Sequence, residues 1–568
     1  NDSEDGIKNY YTLLYHAFYS EDIFLMTGMN YPYYEHAVYT DAAPAVAELI
    51  GLLSDPQHGV GVLNIILLLS IPLTVVFVYL LLRQYKVSYW WSLLAALSIS
   101  LLAPQFDRLG GHYGLSFAFL IPCFWWLILC YEKSGRKVWI ETASILAIVS
   151  FLLPPYNGLI ISSTGLAYFG LKALSESENR KRATVNLVAS GIVPVVFFQL
   201  FMHFSDPVDD RISNEYGFFN LYGRIESFIH PRWPHSVFEY FKSIGIEEQS
   251  WEAAVYLGAG TILFLIFCIG YSLFRSGNKI KSWLWSRSTL IALIVVGFPT
   301  LWIASQGVIT LMGTLEFILV FVLARTLIGH LSTDQNSSLY TFGVAAGLLM
   351  LWGMCIPLKY EPMRPLADFL GPLSDFRSLG RFLWVPYFAV AIGSVVWLFR
   401  ISKRNLLLAS IAFFTGIGIS AFEWGNRHAT MSSQLSATNN LFQKNVHPNE
   451  FRELVSFLER ENPDAMVFLP FYFQWSGANE VRGDADIMKQ SMLLSFLTST
   501  PLFNVHSANL SPSHSRKMLN FFAPPFIAKD IVADIPESDD LVIVRMREKE
   551  LPRAQMELLS ENRIIFEN

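Results

Sequence analysis

The sequence predicts an α-helical polytopic membrane protein with a small α/β domain at its C-terminal end. Of its 568 residues, 52% are hydrophobic and only 15% are charged, and long uncharged stretches recur along the chain. A soluble protein carries roughly 25% charged residues, and a stretch of about 20 apolar residues is long enough to cross a bilayer. The net charge of −6 gives no sign of nucleic-acid binding.

About twelve apolar stretches follow one another between residues 60 and 423, and each has a length suited to a membrane span. They lie near residues 60–82, 88–104, 114–131, 138–154, 156–174, 183–203, 252–274, 287–304, 307–329, 338–357, 381–399 and 405–423.

Basic residues are concentrated in every second connection between these stretches. The basic connections contain Arg83 and Lys86; Lys133, Arg136 and Lys137; Lys172 and Arg180 to Arg182; Arg275, Lys279, Lys281 and Arg287; and Arg400, Lys403 and Arg404. Because loops rich in Lys and Arg stay on the cytoplasmic side, these connections are expected to be cytoplasmic.

This topology divides the chain into three parts. Residues 1–59 form a first outer loop, residues 60–423 a transmembrane domain with outer loops at 204–251 and 358–380, and residues 424–568 an extracytoplasmic α/β domain. An outward first loop implies one more span before Asn1, and thus about thirteen in the intact protein. In the last part, periodicity predicts helices near 450–461 and 486–500 and strands near 466–471, 541–545 and 564–566.

The first outer loop combines acidic residues with a histidine and many tyrosines. Its candidate functional residues are Asp5, Glu35, His36 and Asp41. Carboxylates accept hydrogen bonds from sugar hydroxyls and aromatic rings stack on sugar faces, so this composition suits a carbohydrate or polar-headgroup site. The alternative is a loop whose tyrosines form the aromatic belt at the membrane surface.

The shorter outer loops supply cationic residues. Arg108 and His112 lie at the mouths of two spans, where they suit a phosphate, and the alternative is an interfacial pair of Asp107 with Arg108. The following turn, Pro154 to Gly158, is interpreted as a structural reversal.

Arg377 and Arg381 are four residues apart at the start of a predicted helix on the outer side. Basic residues there run against the positive-inside rule, which favours an anionic headgroup or pyrophosphate as their partner. The alternative is snorkelling beside Trp384. Glu252 lies at the outer mouth of a span. Glu316 lies within one, and the sequence does not decide whether it forms a structural pair or marks a pathway.

With these residues, the chain resembles the GT-C superfamily of integral-membrane glycosyltransferases, which take a sugar from a polyprenyl-phosphate donor on the outer face of the membrane. The similar features are acidic residues after the first span (Glu4-Asp5), a long first outer loop, about thirteen spans, the charged loop ending at His112, and an outer C-terminal domain. The stretches Asn30 to Pro44, Tyr256 to Gly258 and Phe376 to Phe382 look like those of uncharacterised bacterial members. The resemblance implies a place in the bacterial inner membrane, with the C-terminal domain in the periplasm.

The resemblance also implies roles for the candidate residues. Asp5 would be the general base and Asp41 a second catalytic carboxylate that positions the acceptor or a cation. The donor phosphate would be bound by Arg108, His112, Arg377 and Arg381. The remaining substrate contacts would come from Glu35, His36 and Glu252. There is no strict Asp-X-Asp motif in the first outer loop, so the need for a divalent cation stays open.

The implied partners are membrane lipids, a polyprenyl-phosphate sugar, and a glycan, lipid or protein acceptor, with no nucleic acid. Two other functions stay open: a transporter or flippase of a lipid-linked substrate, and a non-catalytic subunit of an envelope complex. The sequence contains no visible inverted repeat of the kind that many transporters have. Convergence of the candidate residues on one cavity at the outer surface would favour the enzyme.

Overall fold

The computed structural model is mostly helical, as the composition predicts. It describes residues 4–211, 215–231, 235–243, 250–276, 288–289, 291–292, 296, 311–332, 337–435, 439–474, 480–524, 526–546 and 549–560. Within these ranges, five helices are long and apolar enough to cross a membrane: Gly59–Gln84, Tyr113–Ser134, Arg180–Ser205, Leu379–Ser402 and Leu406–Ser433. These apolar helices indicate a membrane protein.

Other helices coincide with further predicted spans. They are Tyr89–Leu101, Lys137–Phe151, Pro155–Ser175, Ala259–Ser276, Leu311–Leu331 and Ser338–Gly353. Most of the stretch near 287–304 lies outside the described residues, as do Lys279, Lys281 and Arg287 of the predicted basic connections. The total of about twelve spans therefore stays a prediction.

The helix Gly59–Gln84 shows how an apolar sequence is divided between two environments. Leu63 and Leu67 are buried against the rest of the protein, whereas Ile65, Leu68 and Leu69 are more than half exposed. Apolar side chains are unfavourable in water, and the helix satisfies its own backbone groups, so the exposed face suits lipid.

Residues 4–59 are folded into short elements rather than an extended loop. The helix Glu4–Tyr19 buries Tyr11 and Leu14 completely. Two-residue strands, Leu25–Met26 and Glu35–His36, pair in antiparallel fashion, and the helix Pro44–Leu53 follows. Several tyrosines of this segment, among them Tyr11, Tyr15 and Tyr31, are thus buried inside the protein.

The residues after 439 contain both helices and strands. The helices Asn449–Glu461 and Ala485–Thr498 occupy the predicted positions, and the strands Ala465–Leu469 and Leu541–Arg545 pair in parallel. A second parallel pair joins Phe473–Gln474 to Val505–His506, and the helix Pro512–Asn520 follows. The strand predicted near 564–566 lies outside the described residues.

The chain after 439 packs directly on the first fifty residues. Leu502 N donates to Gly28 O at 2.9 Å, and Tyr31 N donates to Leu502 O at 3.0 Å. Ala508 N donates to Tyr39 O at 3.0 Å. Because these are backbone hydrogen bonds, the two ends of the chain are held in one register relative to each other.

Candidate functional site

A cavity of about 280 Å³ lies where the first fifty residues, the ends of several apolar helices and the C-terminal residues meet. Five of the nine candidate residues line it: Asp41, His112, Glu252, Arg377 and Arg381. Other polar lining residues are Asn9, Tyr39, Tyr156, Gln199, Ser378 and Asn509, and the apolar ones include Val38, Leu115, Phe198, Met202, Leu221 and Phe376.

Several apolar helices have one end at the cavity and basic residues at the other end. Helix Pro155–Ser175 begins at the cavity wall with Pro155 and has Lys172 in its last turn. The segment Arg180–Ser205 begins with a basic cluster and reaches the cavity at Met202. The segment Leu379–Ser402 runs from Arg381 at the cavity to Arg400 in the last turn of its helix.

Glu252 accepts hydrogen bonds from two arginines. Arg381 donates from Nε to Oε2 at 2.8 Å and from Nη2 to Oε1 at 2.7 Å. Arg108 donates from Nη1 to Oε2 at 3.2 Å. Burial alone would raise the pKa of Glu252, but the two guanidinium groups outweigh it and hold the pKa well below its usual range. Glu252 is therefore a permanent anion that neutralises one of two neighbouring cations.

Arg108 lies behind this pair and not on the cavity wall. Only 1% of the residue is exposed, and its Nη2 also donates to the backbone oxygens of Trp251 and Glu252. Its guanidinium lies 4.3 Å from the centre of the Trp251 ring. Of the arginines predicted to bind phosphate, Arg377 and Arg381 reach the cavity.

Arg377 and Arg381 are positioned by an aromatic residue from another helix. Ser378 N donates to Tyr156 Oη at 2.8 Å, and the Arg381 guanidinium lies 4.2 Å from the centre of the Tyr156 ring. The Arg377 side chain also packs against Gly217, where an added Cβ would come within 2.4 Å of Arg377 Cβ. A larger residue at 217 would therefore displace Arg377.

The first outer segment also contributes to the cavity wall, through Asn9, Val38, Tyr39 and Asp41. Asp41 forms an ion pair with Lys8 Nζ and has a left-handed backbone with φ of 65°. Burial would raise the pKa of Asp41, but the charge of its ion-pair partner Lys8 is the largest effect that lowers it, to about 2. A non-glycine residue in this conformation is uncommon, and it is tolerated best by Asp and Asn.

Asp5 lies next to the cavity rather than on its lining. Its Oδ2 is 3.9 Å from His112 Nε2, and its side chain is 54% exposed. The His112 ring lines the cavity and lies 4.5 Å from the Trp251 ring, centre to centre. Burial is the main cause that lowers the pKa of His112, so its imidazole is neutral near pH 7.

Glu35 and His36 are not among the residues that line the cavity. Glu35 accepts from Asn30 Nδ2 at 2.8 Å and from Arg211 Nη1 at 3.0 Å. The same Nη1 donates to Asn509 O at 2.7 Å, and Arg211 also pairs with Asp206. His36 Nε2 lies 3.0 Å from Ser205 Oγ. Glu35 thus helps to hold the C-terminal residues of the cavity in place.

This buried carboxyl should make stability depend on pH. Burial is the largest cause that raises the pKa of Glu35 to about 7, whereas an exposed Glu titrates near about 4.3. The folded state therefore binds the proton more tightly, and stability should fall as pH rises from about 4.3 to about 7. In Glu35→Gln this fall should be smaller, as measured by thermal unfolding of purified protein at pH 5 and pH 8. The same fall in wild type, Glu35→Gln and the exposed control Glu48→Gln would contradict the assignment.

Two further acidic residues discussed from the sequence, Asp107 and Glu316, form ion pairs within the protein. Asp107 pairs with Arg427 at 2.8 Å, and not with the neighbouring Arg108. Glu316 accepts from Lys359 Nζ at 2.6 Å and from Tyr360 Oη at 3.0 Å, so it forms a buried pair.

The described residues do not offer a set of ligands for a divalent cation. Within the part of the chain that the structure describes, no three His, Cys, Asp or Glu side chains are grouped to hold a metal ion. Asp41, the carboxylate expected to position a cation, is paired with Lys8.

The sequence was compared with protein-family models and with curated proteins. No curated protein matches the chain significantly. Residues 6–320 match the family model described as DUF6311, a domain of unknown function. Because this match covers more than half of the sequence, the chain belongs to the DUF6311 family.

Proposed function

We propose that this protein is a membrane glycosyltransferase that moves a sugar from a polyprenyl-phosphate donor to an acceptor on the outer face of the bacterial inner membrane. The observation that carries this proposal is that Arg377, Arg381, Asp41 and His112 all line one cavity. Cations suit a departing phosphate, whereas carboxylates and a neutral imidazole suit an acceptor hydroxyl. A scaffold subunit would not need this arrangement.

The proposed topology has about twelve spans in this chain and the cavity on the outer side. It is supported by the basic residues at the helix ends away from the cavity, because such residues favour the cytoplasmic side. The mixed elements after residue 439 would then form the extracytoplasmic α/β domain and supply part of the cavity wall through Ala508 and Asn509.

In the proposed reaction, Asp5 takes the proton from the acceptor hydroxyl as the acceptor oxygen bonds to the anomeric carbon of the sugar. The bond between that carbon and the phosphate oxygen breaks, and its electron pair leaves with the polyprenyl phosphate. Arg377 and Arg381 stabilise the charge that develops on the phosphate. Asp41 holds the acceptor, and a single displacement of this kind inverts the anomeric configuration.

Charge balance supports distinct roles for the arginines. Glu252 is shared between Arg108 and Arg381, so one carboxylate compensates two guanidinium groups. Arg377 adds a further guanidinium group to the same part of the cavity wall, and this group suits an anion. This electrostatic arrangement favours a phosphate-linked donor over a neutral sugar alone.

The direct test uses purified protein in lipid nanodiscs, radiolabelled polyprenyl-phosphate sugars and a membrane extract as the source of acceptor. We expect label to move from the donor into a new product. If no labelled sugar is transferred from any donor, while the protein stays folded and inserted, the transferase proposal is wrong. Movement of intact donor across the bilayer without transfer would instead identify a flippase.

Replacing Arg377 with Ala should chiefly weaken use of the lipid donor. Loss of a hydrogen bond to a charged group costs about 1.5–3 kcal/mol, which corresponds to a rise of roughly 10- to 150-fold in the donor KM. Arg377→Lys should recover part of this loss because it restores the charge. Arg364→Ala is the matched control, because Arg364 lies over the Phe219 ring and does not line the cavity. An unchanged donor KM in Arg377→Ala would exclude the phosphate role.

A further inference from the structure

The segment Glu361–Asp375 consists of two short 3-10 helices separated by Gly371, whose backbone is not helical and has a φ of 52°. It lies within the predicted outer loop 358–380, where a polar surface would be expected. Instead it exposes three large apolar side chains: Leu366 is 48% exposed, Phe369 86% and Leu373 37%. Such a cluster on one short element indicates a contact surface.

The segment has apolar residues on two sides. Ala367 and Leu370 pack against the protein core, and the Arg364 guanidinium lies 5.3 Å from the centre of the Phe219 ring. A 3-10 helix has three residues per turn, so Leu366 and Phe369 lie on the same side, away from the core. Ala367 and Leu370 therefore attach the segment to the protein. On the other side, the described residues do not bury Leu366 and Phe369.

The connections of the segment determine which surface it meets. Helix Ser338–Gly353 precedes it, and the candidate span Leu379–Ser402 begins four residues after it. Both neighbours are apolar membrane-type helices, so the segment lies at the level where those helices leave the membrane. Its charged residues Glu361, Arg364 and Asp368 are suited to lipid headgroups.

We propose that residues 361–375 lie in the lipid–water interface at the cavity end of the membrane helices, with Leu366, Phe369 and Leu373 inserted among the acyl chains. The occupant of this apolar surface is thus the bilayer and not a second protein. The segment continues into Phe376 and Arg377, which line the cavity, so lipid contact fixes the edge of the cavity wall. This inference does not depend on the transferase reaction.

The test is spin labelling in lipid nanodiscs. Phe369→Cys is labelled in a background in which Cys123, Cys130, Cys268 and Cys355 are replaced by Ala, and power saturation compares collisions with oxygen and with a water-soluble nickel chelate. We expect the label at 369 to meet oxygen more than nickel, because oxygen partitions into lipid. Leu366→Cys is a second test site, and we expect it to behave in the same way.

Asp368→Cys is the matched control from the same segment, because Asp368 lies beside Phe369 in sequence and is exposed. We expect its label to meet nickel more than oxygen. If the labels at 366 and 369 match the label at 368, the segment is in water and the proposal fails. Labels at 366 and 369 that meet neither reagent would indicate burial by protein, which would also overturn it.

Discussion

Asp5→Asn is expected to abolish sugar transfer while leaving expression and membrane insertion intact. General-base catalysis contributes roughly 10²- to 10⁴-fold to a rate, and an amide cannot accept the proton from the acceptor hydroxyl. The side chain of Asp5 is 54% exposed, and its ion-pair contact with His112 is long, at 3.9 Å. The loss should therefore appear in kcat at saturating donor and not in thermal stability.

Glu48→Gln is the control for this change, because it alters an exposed carboxylate on helix Pro44–Leu53 in the same outer segment. It should retain wild-type transfer. Full activity in Asp5→Asn would remove Asp5 from the reaction, and His112, the neutral base beside it, would then be the group to test by His112→Gln.

Glu252→Gln is expected to have the largest effect on stability. Removing one partner of a buried ion pair costs about 3–5 kcal/mol, because the remaining charge has no compensation. Here two guanidinium groups lose their shared carboxylate: Arg108 has 1% of its side chain exposed and Arg381 12%. The apparent unfolding temperature of the purified protein should fall by several degrees.

A double variant separates the ion pair from a general effect of the substitution. Arg108→Met in the Glu252→Gln background removes the more deeply buried of the two cations that lose the Glu252 carboxylate. It should recover part of the lost stability, since replacing a buried pair by apolar groups is often nearly neutral. If the losses of stability caused by Glu252→Gln and Arg108→Met simply add in the double variant, the two residues are not coupled energetically.

Several residues of the cavity wall could be predicted from the sequence, because a membrane helix fixes the position of the residues next to its ends. His112, Glu252 and Arg381 lie at the mouths of apolar stretches, and all three line the cavity. The pairing of Glu252 with Arg381 could not be predicted, because 129 residues separate them and either could have met solvent. Pairing is decided by how distant helices pack, which the local pattern does not contain.

Two residues predicted to contact substrate, Glu35 and His36, do not line the cavity, and two residues of the site, Tyr156 and Lys8, were not predicted. Glu35 and His36 have the same local composition as Asp41, but the pairing of the Leu25–Met26 and Glu35–His36 strands turns them toward Arg211 and Ser205. Tyr156 was missed because its neighbours are typical turn residues. Lys8 was missed because its helix was predicted as part of a loop, where a lysine would be solvated.

The cavity extends beyond the region that defines the family. Tyr39 and Glu252 lie within residues 6–320, whereas Arg381 and Asn509 come from later in the chain. A chimaera that joins the first 320 residues of this chain to the remainder of a relative would therefore have to preserve two contacts. They are the ion pair between Glu252 and Arg381 and the backbone hydrogen bond from Ala508 N to Tyr39 O. In this chain, a change on one side of residue 320 that alters either contact requires a matching change on the other side.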